Sequence, residues 1–194
     1  MLICITNQKL CKDNFLQRLE KIVKGKPHAM MLREKDLDLI QYESLAFEVK
    51  QICETNQVPL IINKNISAAK KLKLPHIHLS MPDLRIFNND LSSFQQIGAS
   101  VHSVEEAEEA FARGATYLVA GHIYSTDSKK GVPPRGLSFL KDVCDAVEIP
   151  VFAIGGITKD RVKDVARTGA KGVCIMSEAM TSIHPEELVN YFSF

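Results

Sequence analysis

The stretch Ala120–Gly131, AGHIYSTDSKKG, sets a histidine, a threonine and two lysines just past an apolar run, Ala115–Ala120 (ATYLVA). An imidazole that titrates near neutrality can take a proton and return it, which makes His122 a candidate acid/base group. Thr126, Ser128 and Lys129 beside it can donate hydrogen bonds to an anion. Polar residues stand in the same position after other apolar runs: Arg33 and Lys35, Asn63 and Lys64, Ser80 and Asp83, and Ser100. Together they are rich in donors and poor in carboxylates, which suits an anionic ligand. Gly155 and Gly156 in AIGG would let the backbone approach a phosphate, with Ser177 in a matching loop of the sequence IMSE. The remaining histidines, His28, His76, His78, His102 and His184, read as hydrogen-bonded structural groups. Magnesium asks for carboxylate oxygens, and only Asp83 and Asp127 stand where they could serve. Glu34, between Arg33 and Lys35, is expected to point the opposite way along its strand. No metal site and no cofactor are expected.

These residues need elements to hold them. Eight apolar runs recur along the chain: LICIT from Leu2, HAMMLRE from His28, PLIIN from Pro59, HIHLS from His76, QIGASVH from Gln96, TYLVAGH from Thr116, PVFAIGG from Pro150 and GVCIMS from Gly172. Most are continuously apolar, as parallel strands covered on both faces are. Helical patterns fill most gaps. SVEEAEEAFARG carries a capping-box pair, Ser103 and Glu106, and a stop at Gly114. TKDRVKDVARTG places Thr158 at an N-cap and Gly169 at the end, and the last helix opens at HPEEL with Pro185 in its first turn. The pattern predicts an α/β fold, a compact (β/α)8 TIM barrel formed by one domain over residues 1–194. Between the fourth and fifth strands, MPDLRIFNNDLSSF predicts a short or missing helix. An open doubly wound sheet is the alternative architecture. A barrel gathers the polar residues listed above at one mouth, because its active site forms at the carboxyl ends of the strands.

Bulk properties narrow the partners. A formal net charge of +1 offers no field for nucleic acid or an anionic membrane. The five cysteines form no C-x-x-C pair and read as reduced thiols. Met1–Thr6 is too short for a signal segment and no apolar run approaches the roughly 20 residues of a membrane span, so a cytoplasmic location is expected. An amphipathic stretch from Asp38 to Asn56 would suit solvent or a second subunit equally, which leaves a homo-oligomer open. Pro133-Pro134 stiffens the loop from Ser125 to Arg135, flanked by Gly131 and Gly136 as hinges.

The strings LREKD, PLIIN, IGASVHS, GHIYSTDSKKG, VFAIGGIT and GVCIMSEAM occur in the order expected of the thiamine phosphate synthase superfamily, and the chain resembles that superfamily over nearly its whole length. The synthase pattern has a glutamine two residues before the arginine of R-E-K, an N-D pair after strand three whose aspartate helps hold magnesium, and G-Q-x-D after strand four. Here those positions read Met31, Asn63-Lys64 and Ser80-Met81-Pro82-Asp83. Gly121-His122, followed by T-D-x-K-K-G, is similar to the thiazole tautomerase (TenI) branch, which implies an isomerase of thiamine biosynthesis with His122 as its acid/base residue. That branch acts without metal, nucleotide or redox cofactor on a small phosphorylated carboxythiazole, moving a proton to give the aromatic tautomer. The resemblance implies phosphate binding near Gly155, Gly156, Met176 and Ser177, and places Lys35, Asn63 and Thr126 among the substrate contacts. Arg33, Lys129 or Ser100 would meet the carboxylate. Two other readings stand beside it: a divergent, magnesium-dependent thiamine phosphate synthase that joins a pyrimidine pyrophosphate to the thiazole phosphate, against which Lys64 argues, and a non-catalytic sensor of a phosphorylated metabolite.

Overall fold

All eight apolar runs form strands, and the strands close into a parallel barrel in sequential order: β1 Leu2–Ile5, β2 Ala29–Leu32, β3 Leu60–Asn63, β4 His76–Ser80, β5 Gln96–Val101, β6 Tyr117–Gly121, β7 Val151–Ile154 and β8 Gly172–Ile175. The computed structural model describes residues 1–194, the side chain of Asn88 aside. Closure is made by β8 lying along β1, with Leu2 opposite Val173 and Cys4 opposite Ile175, which excludes the open sheet. The strands read as continuous apolar runs because both faces are covered. Ile3, Ile5, Met31, Ile61, Val119, Phe152 and Cys174 fill the barrel interior. Their neighbours Leu2, Cys4, Met30, Leu32, Leu60, Ile62 and Leu118 face outward into a second apolar layer.

That layer is covered by α1 Phe15–Lys24, α2 Leu39–Thr55, α3 Ile66–Lys71, α4 Met81–Phe87, α5 Val104–Ala112, α6 Gly136–Ala146, α7 Val162–Ala166, α8 Ser177–Thr181 and α9 Leu188–Phe192. Side-chain caps start the longer ones. Asn14 Oδ1 accepts from the Gln17 N–H at 3.0 Å, and Asp38 and Gln41 form a reciprocal capping box. Ser103 Oγ accepts from Glu106 N–H, but the Glu106 carboxylate turns to the His102 N–H rather than completing the expected box. Thr158 makes no side-chain cap; the chain enters α7 through a 3-10 turn, Lys159–Arg161. Gly114 and Gly169 stop their helices with φ of +87° and +92°. The helix between β4 and β5 is short, seven residues of α4 with a 3-10 turn, Asn88–Asp90, behind it.

One buried charge fastens the helical layer. Arg18, only 8% exposed, pairs through Nε with Asp13 at 2.6 Å and donates from Nη1 to the Ser182 carbonyl at 2.9 Å, tying α1 to the end of α8. No helix among the described residues is long and apolar enough to cross a membrane.

Candidate functional site

A cavity of about 1430 Å³ opens at the carboxyl ends of the strands. His122, Arg33, Lys35, Asn63, Ser100, Thr126, Lys129, Gly155, Gly156, Met176 and Ser177 all line it, whereas Thr6, which the end-of-strand rule also singles out after β1, is buried behind the lining.

After β2 the backbone is set by a residue behind the lining. Thr6, wholly buried, donates its hydroxyl to Glu34 Oε1 at 2.6 Å and accepts the Arg33 N–H at 3.0 Å. Gln8 N–H adds bonds to both Glu34 oxygens at 3.1 and 3.0 Å. Glu34 is thereby committed to holding this turn. Arg33 comes within 3.9 Å of Met176 Sδ through Nη1, and partial burial lowers its pKa against the opposing pull of Glu34 and Asp36. The Lys35 ammonium is also held below its ordinary range, first by the Arg33 guanidinium, then by burial, Lys129 and Lys64. Four cations from three loops therefore feel one another across one side of the mouth.

The magnesium implied by the family resemblance does not fit this mouth. Lys64 sits in a left-handed turn, φ +69°, and its Nζ lies 4.0 Å from Asp83 Oδ1. Asp83 Oδ2 accepts the Ser80 hydroxyl at 2.6 Å. An ammonium thus stands against the one well-placed carboxylate, and Asp127 is almost fully solvated. Among the described residues no three histidines, cysteines or carboxylates come together as a metal would require.

Deep in the cavity is a buried polar chain that motif reading passed over. His78 on β4 is 2% exposed; its Nδ1 lies 3.1 Å from the Tyr117 hydroxyl on β6 and its Nε2 lies 2.8 Å from Ser100 Oγ on β5. Burial pushes the His78 pKa down to about 3, keeping the ring neutral. The signal for it in the sequence was Gly98, which lies opposite His78 on one side and Tyr117 on the other. A Cβ there would fall 2.1 Å from the Tyr117 ring and 2.4 Å from His78 Nδ1. Only glycine leaves room for the pair.

The end of β7 is shaped by equally close packing. Gly155 has φ +101°, and a Cβ on it would come within 2.4 Å of His122 Cβ; on Gly156 a Cβ would come within 2.3 Å of the Ser125 carbonyl oxygen. These glycines are required by the approach of the β6 loop whatever ligand is bound. Arg161 secures the turn from outside, donating to the Gly156 carbonyl at 2.6 Å and lying over the Tyr124 ring at 4.4 Å. His122, 7% exposed, donates from Nε2 to the Val132 carbonyl at 3.2 Å, which tethers the Ser125–Arg135 loop. His102, expected to be structural, donates from Nδ1 to the Gly121 carbonyl and holds the strand end that precedes His122.

A family model described as thiamine monophosphate synthase matches residues 2–179. Thiamine-phosphate synthase of Clostridium acetobutylicum is 34% identical over 184 residues, covering 93% of this chain and 87% of that protein. A thiamine-phosphate synthase of Clostridium botulinum (strain Kyoto / Type A2) is 36% identical over 180 residues, covering 91% and 88%. The thiamine phosphate pyrophosphorylase of Pyrococcus furiosus superposes with a TM-score of 0.86 at 27% identity, over 98% of this chain and 94% of that one. The isomerase expectation, with His122 moving the proton, is corrected by these relatives, which carry the name of a transferase. Met31, Lys64 and His122 stand in a chain whose overall similarity is to proteins named synthases.

Proposed function

The chain belongs to the thiamine monophosphate synthase family, and from that premise we propose that it is a thiamine-phosphate synthase, joining a pyrimidine carried as its diphosphate to a thiazole phosphate with release of pyrophosphate. One observation carries the reading: the cavity offers two regions suited to anions. Arg33, Lys35, Lys64 and Lys129 crowd one side closely enough to depress the Lys35 pKa together. The Gly155–Gly156 turn and Ser177 lie after the last two strands. Two phosphorylated substrates use both regions. A diphosphate brings the larger negative charge to the side where Arg33, Lys35 and Lys129 gather. The volume of about 1430 Å³ exceeds the roughly 300–1,000 Å³ of a site for one small ligand.

In the bond-forming step the thiazole nitrogen gives its electron pair to the pyrimidine methylene carbon while the carbon–oxygen bond to the diphosphate breaks and its pair leaves with the oxygen. No proton moves between these atoms, so His122 serves by holding the Val132 segment. Charge grows on the departing diphosphate, and Arg33, Lys35, Lys64 and Lys129 are the groups that meet it. Asn63, Ser100 and Thr126 supply neutral hydrogen-bonding groups, while Ile5, Met31, Val119 and Ile154 give the two rings an apolar floor. The thiazole phosphate is assigned to the turn after β7, with Met176 and Ser177 beside it; the Gly156 carbonyl is held outward by Arg161. Since the residues around Asp83 do not suit a metal, no step is routed through one.

The test is to mix the protein with the pyrimidine diphosphate and the thiazole phosphate, in buffers with and without magnesium, and follow pyrophosphate and thiamine phosphate together. Equimolar appearance of both is expected, with kcat/KM falling about 100-fold or more in Arg33→Gln. Failure to release pyrophosphate in either buffer overturns the proposal.

A further inference from the structure

We propose that Tyr117 and His78 are positioning residues that fix the direction of the Ser100 hydroxyl, so that Ser100 meets a bound ligand as a hydrogen-bond donor. The cavity as ligand site comes from the proposed function; the direction of the hydrogen bonds does not depend on it. Both ring nitrogens of His78 are engaged, Nδ1 with the Tyr117 oxygen and Nε2 with Ser100 Oγ. A neutral imidazole has one N–H and one acceptor nitrogen, so the chain of bonds can run only two ways.

In the first, the Tyr117 hydroxyl donates to Nδ1, Nε2–H donates to Ser100 Oγ, and the Ser100 proton is left to point at a ligand. In the second, Ser100 donates to Nε2, Nδ1–H donates to the Tyr117 oxygen, and the Tyr117 proton needs an acceptor of its own. The surroundings decide between them. Tyr117 is 5% exposed and packs among Ile3, Ala29, Cys174 and the edge of Phe152, whose ring centre is 5.9 Å away. Among the described residues its hydroxyl has no hydrogen-bond partner besides His78. The second direction would strand a buried O–H in an apolar core, whereas the first satisfies every donor inside the barrel.

Ser100, by contrast, is half-buried and lines the cavity, where a ligand can receive its proton. The atom placed there must be an acceptor, such as an unprotonated ring nitrogen or an anionic oxygen, and an amino or protonated nitrogen is disfavoured at that point. Gly98 is part of the device, because a side chain on it would drive Tyr117 and His78 apart.

Nitrogen-15 NMR of the histidine rings in the intact protein reads the direction without any substrate. The His78 ring is expected as the Nε2–H tautomer, unchanged from pH 8 to pH 5; an Nδ1–H tautomer, or a doubly protonated ring at pH 7, overturns the proposal. Steady-state kinetics with the two proposed substrates then separates positioning from mere packing. Tyr117→Phe is expected to raise KM about 3- to 10-fold with kcat little changed, and that effect should vanish in a Ser100→Ala background. A Tyr117→Phe effect of the same size in both backgrounds overturns the link to Ser100. A protein that shows the Nε2–H tautomer but releases no pyrophosphate refutes the transferase and leaves the hydrogen-bond direction standing.

Discussion

Replacing His78 with glutamine removes the deepest titratable histidine of the barrel while keeping a donor and an acceptor for Ser100 and Tyr117. The folded protein holds this ring neutral, with its pKa pushed down to about 3 by burial, whereas in the unfolded chain it takes a proton near pH 6.5. Above pH 6.5 neither state is protonated at this position, and the full stability is present. As the pH falls below 6.5 the unfolded state gains a proton that the folded state refuses, so stability drops by about 1.4 kcal/mol per pH unit until the folded pKa is reached. At pH 5 the loss from this one ring is about 2 kcal/mol, or roughly 4–8 °C in Tm for a chain of this size. Urea unfolding of the wild type and His78→Gln at pH 7 and pH 5 isolates the effect. His28 and His76, also lowered by burial, are common to both proteins and cancel. The wild type should lose about 2 kcal/mol more than the variant over that interval. Equal losses would refute the argument that His78 is a neutral, desolvated ring.

Gly155→Ala should destabilise by about 1–3 kcal/mol from backbone strain alone, and by more as the new Cβ displaces His122; Gly131→Ala, at φ +78° with open space around it, should lose only the backbone part, as read by calorimetry. Lys64→Asp places a second carboxylate beside Asp83, so manganese titration followed by EPR should find a bound ion in the variant and no stoichiometric ion in the unliganded wild type. Ser103→Ala removes the acceptor for the Glu106 N–H at the start of α5 and should lower the unfolding free energy by about 1 kcal/mol without altering turnover.

The eight strands were legible because parallel strands in a barrel are apolar on both faces, and Ile3 beside Cys4 or Ile61 beside Ile62 carries that signal without any alignment. Helix starts were less so. Ser103 caps as read, but Thr158 does not, since its helix opens through a 3-10 turn that leaves its hydroxyl outside cap geometry. Residues of the candidate site were found by their place after each strand, a rule that follows from the fold and holds for His122, Ser100 and Lys129 alike. The activity was not legible in the loop GHIYSTDSKKG, because one segment points to an isomerase while the similarity of the whole chain is to proteins named synthases. The His78 chain was legible only in its parts, His78 as a hydrogen-bonded structural histidine and Ser100 as a residue of the mouth. Its members are brought together by the register of three neighbouring strands, and no spacing within a single segment encodes that.

The glycines after β7 answer to the neighbouring backbone before they answer to any substrate. Their demand is blind to chemistry. A barrel of this kind can keep the two glycines of AIGG in place while side chains around the mouth are exchanged, so the turn identifies a scaffold before it identifies a reaction. A genome search built on that tetrapeptide would therefore collect a lineage of scaffolds. Sorting the lineage by activity falls to positions such as Lys64, where a single codon decides whether the mouth meets its ligand with a metal-binding carboxylate or with a fixed positive charge.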